Sequence, residues 1–158
     1  MVRASLRSLL RKGELLVAPG IFDGISLRVA ERVGFQALYM TGYGTVASHL
    51  GLPDAGLAGY RDMVDRVRTF SSLASVPLIC DGDTGYGGLL NVAHTVQGYE
   101  AAGAGAIQLE DQVSRAGGAH LQPAVLPCGA PSLTGDAYTT AGDPQKVWPH
   151  SGPTGGSH

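Results

Sequence analysis

Between residues 15 and 110, short apolar runs alternate with amphipathic stretches, and few folds accept that order. Leu15–Pro19 reads as a strand buried on both faces. Asp23 can cap a helix with Ile25, Val29 and Val33 on one face, and Gly34 can stop it. Residues 37–41 read as a second strand. A longer helix follows over 57–75, with Tyr60, Met63, Val64, Val67 and Phe70 on one stripe. Its other face offers Arg61–Asp65 and Asp62–Arg66 as i,i+4 pairs. Residues 76–80 form a third strand, 90–102 a helix with Val92, Val96 and Tyr99 aligned, and 106–110 a fourth strand. Strands alternating with helices imply parallel pairing through right-handed crossovers. An open doubly wound sheet and a (β/α)8 barrel both fit, and both place chemistry at the carboxyl ends of strands.

The alternation stops near Val113. Residues 1–113 hold 16 of the 24 glycines and 3 of the 9 prolines. Residues 114–158 hold the other 8 glycines and 6 prolines, with Arg115, Asp136, Asp143 and Lys146 as the charged residues. Without a sustained period and with breakers this dense, 114–158, including the run Pro123–Pro127, reads as an irregular tail. At the other end, Met1–Gly13 is basic and acid-free, as a transit peptide would be. The favoured expectation is a short amphipathic helix packing Leu6, Leu9 and Leu10.

Several function classes are excluded by composition. A formal net charge of −2, with no basic cluster, argues against a nucleic-acid partner. No apolar run approaches the roughly 18 residues that would cross a bilayer. The 2 cysteines, Cys80 and Cys128, make no disulfide framework, which points to a reducing cytoplasm.

Carboxylates collect at the strand ends. The third strand runs into Asp81-Gly-Asp83-Thr-Gly-Tyr-Gly-Gly88, and the fourth into Glu110-Asp111-Gln112. Neighbouring parallel strands lie about 4.8 Å apart, so Asp81, Asp83 and Glu110 can share one ion directly or through water. Hard oxygen ligands without His or Cys select Mg²⁺ or Mn²⁺ over zinc. Helix capping or pairing with basic groups remains the alternative for these acids. Gly42-Tyr-Gly44-Thr-Val-Ala47 matches a dinucleotide fingerprint. The helix it should open is cut short by Gly51 and Pro53, and Asp62 falls within a helix, so nucleotide binding is disfavoured. Cys80 reads as a core residue, and His49, His94 and His120 lack ligand spacing.

Five segments then occur in order: Pro19-Gly-Ile-Phe-Asp23, Tyr39-Met-Thr-Gly42, Gly51-Leu-Pro-Asp54, Asp81-Gly-Asp-Thr-Gly-Tyr-Gly87 and Leu109-Glu-Asp-Gln112. Together, over about residues 5–113, they resemble the isocitrate lyase/phosphoenolpyruvate mutase superfamily. The resemblance implies the first four βα units, half of a (β/α)8 barrel, followed by the irregular tail. It also implies a Mg²⁺-dependent enzyme, in a homo-oligomer, acting on a small 2-oxo or 2-hydroxy carboxylic acid such as methylisocitrate or oxaloacetate. Asp81 and Asp83 match the metal-binding acids, and Glu110 matches an acid of the metal's surroundings. Asp54 matches the acid of the Gly-Leu-Pro-Asp loop. Thr41, Gly42 and Tyr43 match the segment holding the substrate carboxylate or oxyanion, and Tyr39 an aromatic group near the substrate. Tyr39, Asp54 and Glu110 are thus the catalytic candidates.

After Leu109-Glu-Asp-Gln112 the lyases continue with a Lys-Arg-Cys-Gly-His lid, whereas this chain reads Val113-Ser-Arg-Ala-Gly-Gly-Ala-His120. The expectation is therefore a truncated carbon–carbon lyase with impaired activity. A carboxyvinyl-carboxyphosphonate or phosphoenolpyruvate phosphonomutase is the alternative, and a non-catalytic, self-associating half-barrel is the second. In the second, the open edge of strand four drives association.

Overall fold

Asp23 starts the first long helix by a reciprocal cap: its Oδ1 accepts the Ser26 N–H (2.7 Å) while Ser26 Oγ accepts the Asp23 N–H (3.1 Å). The Ser26 N–H foremost, and then the Ser26 hydroxyl, hold the Asp23 carboxyl below the usual carboxylate range. Gly34, with φ 99°, ends the helix in the left-handed conformation its sequence position called for. The computed structural model describes residues 5–110 and 124–127. In chain order the elements are α1 (Leu6–Leu10), β1 (Gly20–Ile21), α2 (Gly24–Val33), β2 (Leu38–Met40), α3 (Gly42–Leu50), α4 (Tyr60–Leu73), β3 (Leu78–Asp81), α5 (Leu89–Ala101), β4 (Ala106–Leu109) and β5 (Ala124–Pro127).

β1 to β4 are parallel and adjacent in chain order. A doubly wound sheet must reverse its strand order where it switches faces, and no reversal occurs here. Same-handed crossovers between consecutive neighbours put the helices on one side, with α2 against α4 and α4 against α5. The result is the arc of half a (β/α)8 barrel.

The two faces of the sheet differ. Leu38, Met40, Leu78, Cys80, Ile107 and Leu109 are buried within one apolar core with Val64, Val67 and Phe70 of α4 and Tyr99 of α5. Alternation puts Tyr39, Ile79, Asp81 and Gln108 on the opposite, inner face, where all four are half-buried. α1 buries Leu6 against Ala37 and Ala106 near the amino ends of the strands, away from their carboxyl ends. Leu10 stays exposed.

Four expectations need correction. The first strand is shifted: pairing begins where the Pro19 carbonyl accepts the Tyr39 N–H (3.0 Å). Leu15, at 91% exposure, and Val17 face outward, so 15–19 is not buried on both faces. On α2 the buried residues are Leu27 and Ala30, whereas Ile25, Val29 and Val33 are 76%, 56% and 67% exposed. The expected helix pairs on α4 do not form. Asp62 instead accepts the Gly59 N–H at the helix start (2.9 Å), Asp65 pairs with Arg68 (2.5 Å), and Arg66 reaches His49 Nδ1 (2.6 Å). Capping wins because the first-turn donors otherwise lack partners.

The fourth correction concerns the tail. Residues 124–127, within the stretch read as irregular, form β5, antiparallel to β4, with Ile107 opposite Leu126 and Leu109 opposite Ala124. An edge strand tolerates Pro127 at its end. β5 therefore occupies the β4 edge that was expected to stand open; the rest of 114–158, with His120 and Cys128, lies outside the described residues.

Across the helix layer, Glu31 of α2 accepts both the Ser75 N–H and the Ser75 hydroxyl, and pairs with Arg28 (3.0 Å). Burial opposes its ionisation, but these bonds outweigh it and keep the carboxyl below its ordinary range. No helix among the described residues is long and apolar enough to cross a membrane.

Candidate active site

Asp81, the last residue of β3, sits where the inner face meets the carboxyl end of the sheet. Both its oxygens are engaged: Oδ2 accepts the Gly42 N–H (3.0 Å) and Oδ1 the Asp83 N–H (2.9 Å). The first bond explains why a glycine opens α3. A Cβ on residue 42 would lie 2.6 Å from Asp81 Oδ2, so only glycine lets the helix start come this close. The Gly42 N–H is thus engaged by Asp81 and the Gly44 N–H by Thr41 Oγ1 (3.0 Å), so neither glycine donor is left for a pyrophosphate, which counts against the dinucleotide reading of Gly42–Ala47.

Asp83 holds a left-handed backbone (φ 51°), and so does Tyr86 (φ 59°). Such residues cost conformational energy and are kept where the surroundings over-determine them. Here the Asp83 carbonyl accepts the Glu110 N–H (2.8 Å), and Asp83 Oδ1 accepts the Thr84 N–H (2.8 Å). The loop after β3 is thereby tied to the end of β4. Asp81 and Asp83 line one cleft with Asp54, Gly42, Tyr86 and the apolar Val46, Ala58 and Met63.

The remaining candidates fall around this cleft in different ways. Tyr39 projects from the inner face and donates its hydroxyl to Gln108 Oε1 (2.7 Å). Burial, then the nearby Asp81 charge, pushes its phenol well above the ordinary tyrosine range, so it stays protonated at neutral pH. Glu110 meets Asp83 through its backbone N–H. Thr41 caps α3 with its hydroxyl and spends its own N–H on the Ile21 carbonyl (3.1 Å). The Gly42 N–H is spent on Asp81. Of the three backbone donors expected for a substrate, Tyr43 N–H is the one not engaged by the described residues, and the Tyr43 side chain is exposed.

Two aspartates with hard oxygen donors on one cleft suit Mg²⁺, which keeps several of its waters and uses one or two protein carboxylates. Among the described residues no three His, Cys, Asp or Glu side chains are gathered closely enough to enclose an ion. A cation held by Asp81 and Asp83 would complete its shell with water and substrate. Cys80 is buried in the core, as the sequence indicated, and the His94 ring packs at a tilt against Tyr60 (centroids 4.7 Å).

Three contributors had not been singled out. Gln108 lies two residues before Glu110, so period-two alternation places it on the same inner face as Asp81. Tyr86 and Tyr99 bring their hydroxyls to 3.0 Å, a contact between loop and α5 with no signature at sequence level. Burial drives both phenols above their usual range.

The family model described as phosphoenolpyruvate phosphomutase matches residues 6–129. The 2,3-dimethylmalate lyase of Eubacterium barkeri is 51% identical over 110 residues, covering 70% of this chain and 38% of the relative. The structure of oxaloacetate acetylhydrolase in complex with the product oxalate superposes with TM-score 0.67 at 48% identity, covering 69% of this chain and 39% of that one. Phosphonopyruvate hydrolase, in a complex with oxalate and Mg²⁺, gives TM-score 0.65 at 34% identity, covering 70% and 38%. The chain thus spans under two fifths of the length of these relatives.

Proposed function

We propose, from the premise that this chain belongs to the phosphoenolpyruvate mutase/isocitrate lyase superfamily, that its described residues form the metal- and carboxylate-binding part of a Mg²⁺-dependent carbon–carbon lyase. The substrate class is a small 2-oxo or 2-hydroxy carboxylic acid. The observation that carries the proposal is the pair Asp81 and Asp83 on one cleft, with both Asp81 oxygens fixed by backbone donors.

Cleaving a carbon–carbon bond beside a 2-oxo acid develops negative charge on an enolate oxygen. Bound Mg²⁺ would supply Lewis-acid stabilisation of that charge. Asp81 and Asp83 hold the cation, with Glu110 in its surroundings. Thr41, Gly42 and Tyr43 shape the carboxylate end of the site. Gly42 does so indirectly by aiming Asp81, and Tyr43 offers its backbone N–H, in the manner of an oxyanion donor. Tyr39, kept neutral, can donate a hydrogen bond toward substrate once its bond to Gln108 is exchanged. Asp54 lines the same cleft as the aspartate pair and is the group assigned to take or return a proton. A cytoplasmic setting and a homo-oligomer belong to the same proposal, and the exposed Ile25, Val29 and Val33 give an oligomer an apolar surface.

The phosphonomutase reading rests on one observation, the phosphomutase description of the matching family model. Between solved structures, higher identity to the 2,3-dimethylmalate lyase than to the phosphonopyruvate hydrolase, 46% against 34%, favours carbon–carbon chemistry. Oxalate, the ligand held by two of the solved relatives, is a direct probe. Calorimetric titration of the 158-residue chain with oxalate should show binding at least about tenfold tighter with Mg²⁺ than without it, one tenfold step being about 1.4 kcal/mol. Equal binding with and without Mg²⁺ would count against the proposal. Turnover of phosphonopyruvate in preference to 2,3-dimethylmalate would transfer it to the phosphonomutase side.

A further inference from the structure

Tyr99 is fully buried on α5, the helix that follows the acid loop, yet its hydroxyl reaches both ends of that loop. It donates to the Asp81 carbonyl (3.2 Å), where the loop leaves β3, and lies 3.0 Å from the Tyr86 hydroxyl at the far side. A phenol has one proton to give. Since the Tyr99 proton goes to Asp81, Tyr86 must be the donor to Tyr99. The bonds therefore run in one direction, from Tyr86 through Tyr99 to the Asp81 backbone, and each polarises the next. Tyr86 lies in the left-handed region, which needs external support, and its ring packs edge-on against Tyr60 (centroids 6.4 Å). In addition, the Thr95 hydroxyl of α5 donates to the Gly85 carbonyl (3.1 Å). The loop carrying Asp83 is thus fastened to α5 at three points, two of which pass through Tyr99.

We propose that Tyr99 is a positioning residue for the metal site: its hydroxyl clamps the loop 82–88 between β3 and α5 and so sets Asp83 relative to Asp81. This rests on the metal reading given above, but the clamp itself exists without a metal.

The test uses Tyr99→Phe, which keeps the ring and deletes the clamp, with Tyr60→Phe as the control that removes a hydroxyl not bonded to the loop. Groups that orient a metal's ligands without touching the metal typically tune its affinity by about 10–100-fold. Tyr99→Phe should raise the Mn²⁺ dissociation constant by about tenfold and speed amide exchange at 82–88 by a similar factor, while exchange at 63–70 of α4 keeps its protection. Tyr60→Phe should change neither. Should Tyr99→Phe fail to fold, Tyr86→Phe removes the outer bond alone and should give the same pattern at reduced size. Unchanged Mn²⁺ affinity together with unchanged loop exchange would overturn the proposal. If the unsubstituted chain binds no Mn²⁺, the metal reading fails, and loop exchange alone then decides whether the clamp exists.

Discussion

Asp81→Ala should abolish divalent-cation binding and also lower the melting temperature of the chain by about 10–20 °C. Two effects combine. The substitution removes the carboxylate that anchors the cation, and it leaves the Gly42 and Asp83 N–H groups without their acceptor. An orphaned buried donor costs about 1–3 kcal/mol. Asp81 is half-buried, so water recovers part of that, and relief of repulsion from Asp83 recovers more. About 2–3 kcal/mol remains, and in a unit of roughly 100 residues each kcal/mol shifts the midpoint by about 4–8 °C. Thermal melts by circular dichroism, paired with Mn²⁺ titration, read both effects. A variant that keeps its midpoint would show that Asp81 does not hold the start of α3.

Gly42→Ala should be nearly as harmful, although it touches no charge. The added Cβ would meet Asp81 Oδ2 at 2.6 Å and Asp81 Cγ at 3.0 Å. That carboxylate cannot swing aside cheaply, because its other oxygen is held by the Asp83 N–H. Either α3 moves away or Asp81 leaves its place. Overpacking of this kind costs about 1–3 kcal/mol, and a displaced ligand should weaken Mn²⁺ binding by about tenfold or more. Gly51→Ala is the informative contrast: its Cβ would meet nothing within 4 Å, and its penalty comes from φ 66° alone. It should lose stability while keeping Mn²⁺ affinity. Equal loss of Mn²⁺ affinity in both variants would mean that general loosening of α3, and not the approach to Asp81, is responsible.

Much of this arrangement is legible in the residues themselves. Asp23 and Gly34 delimit α2 because capping and left-handed termination are local, needing a side-chain oxygen at one end and no Cβ at the other. The stripe Met63, Val64, Val67 and Phe70 on α4 is buried as its spacing requires. α2 shows the limit of that logic. Its period is helical, but two faces carry apolar residues, and the sheet selects Leu27 and Ala30 over Ile25, Val29 and Val33, a choice set by tertiary packing. The helix that the sequence shows cut short by Gly51 is α3, with Thr41 as its N-cap and Gly51, in the left-handed conformation, as its C-cap.

The site divides along the same line. Asp81 could be placed from its strand end and period, because β-alternation projects strand residues onto known faces, whereas Asp83 follows in a left-handed loop and no group of three acids forms among the described residues. What each atom bonds to could not be placed in this way. That Gly42 spends its N–H on Asp81, that Asp62 caps its own helix, and that Tyr99 spans the acid loop all depend on approaches between elements distant in sequence. β5 belongs here too: four residues ending in a proline carry no periodic signal, and the strand forms by pairing with the edge of β4.

The central claim is that Asp81 and Asp83 hold a divalent cation. Its most direct test is Mn²⁺ titration of the unsubstituted chain beside Asp83→Asn. Asparagine tolerates the left-handed backbone at this position and retains an acceptor for the Thr84 N–H, so the loop survives while one charge is lost. Near a protein surface a unit charge pair at 4 Å is worth about 4 kcal/mol, which outweighs the lost hydration of a partly exposed site. The account predicts saturable binding to the unsubstituted chain, an affinity about a hundredfold weaker in Asp83→Asn, and an undiminished melting temperature. Equal Mn²⁺ affinity in the two proteins, or no saturable binding to either, would contradict it.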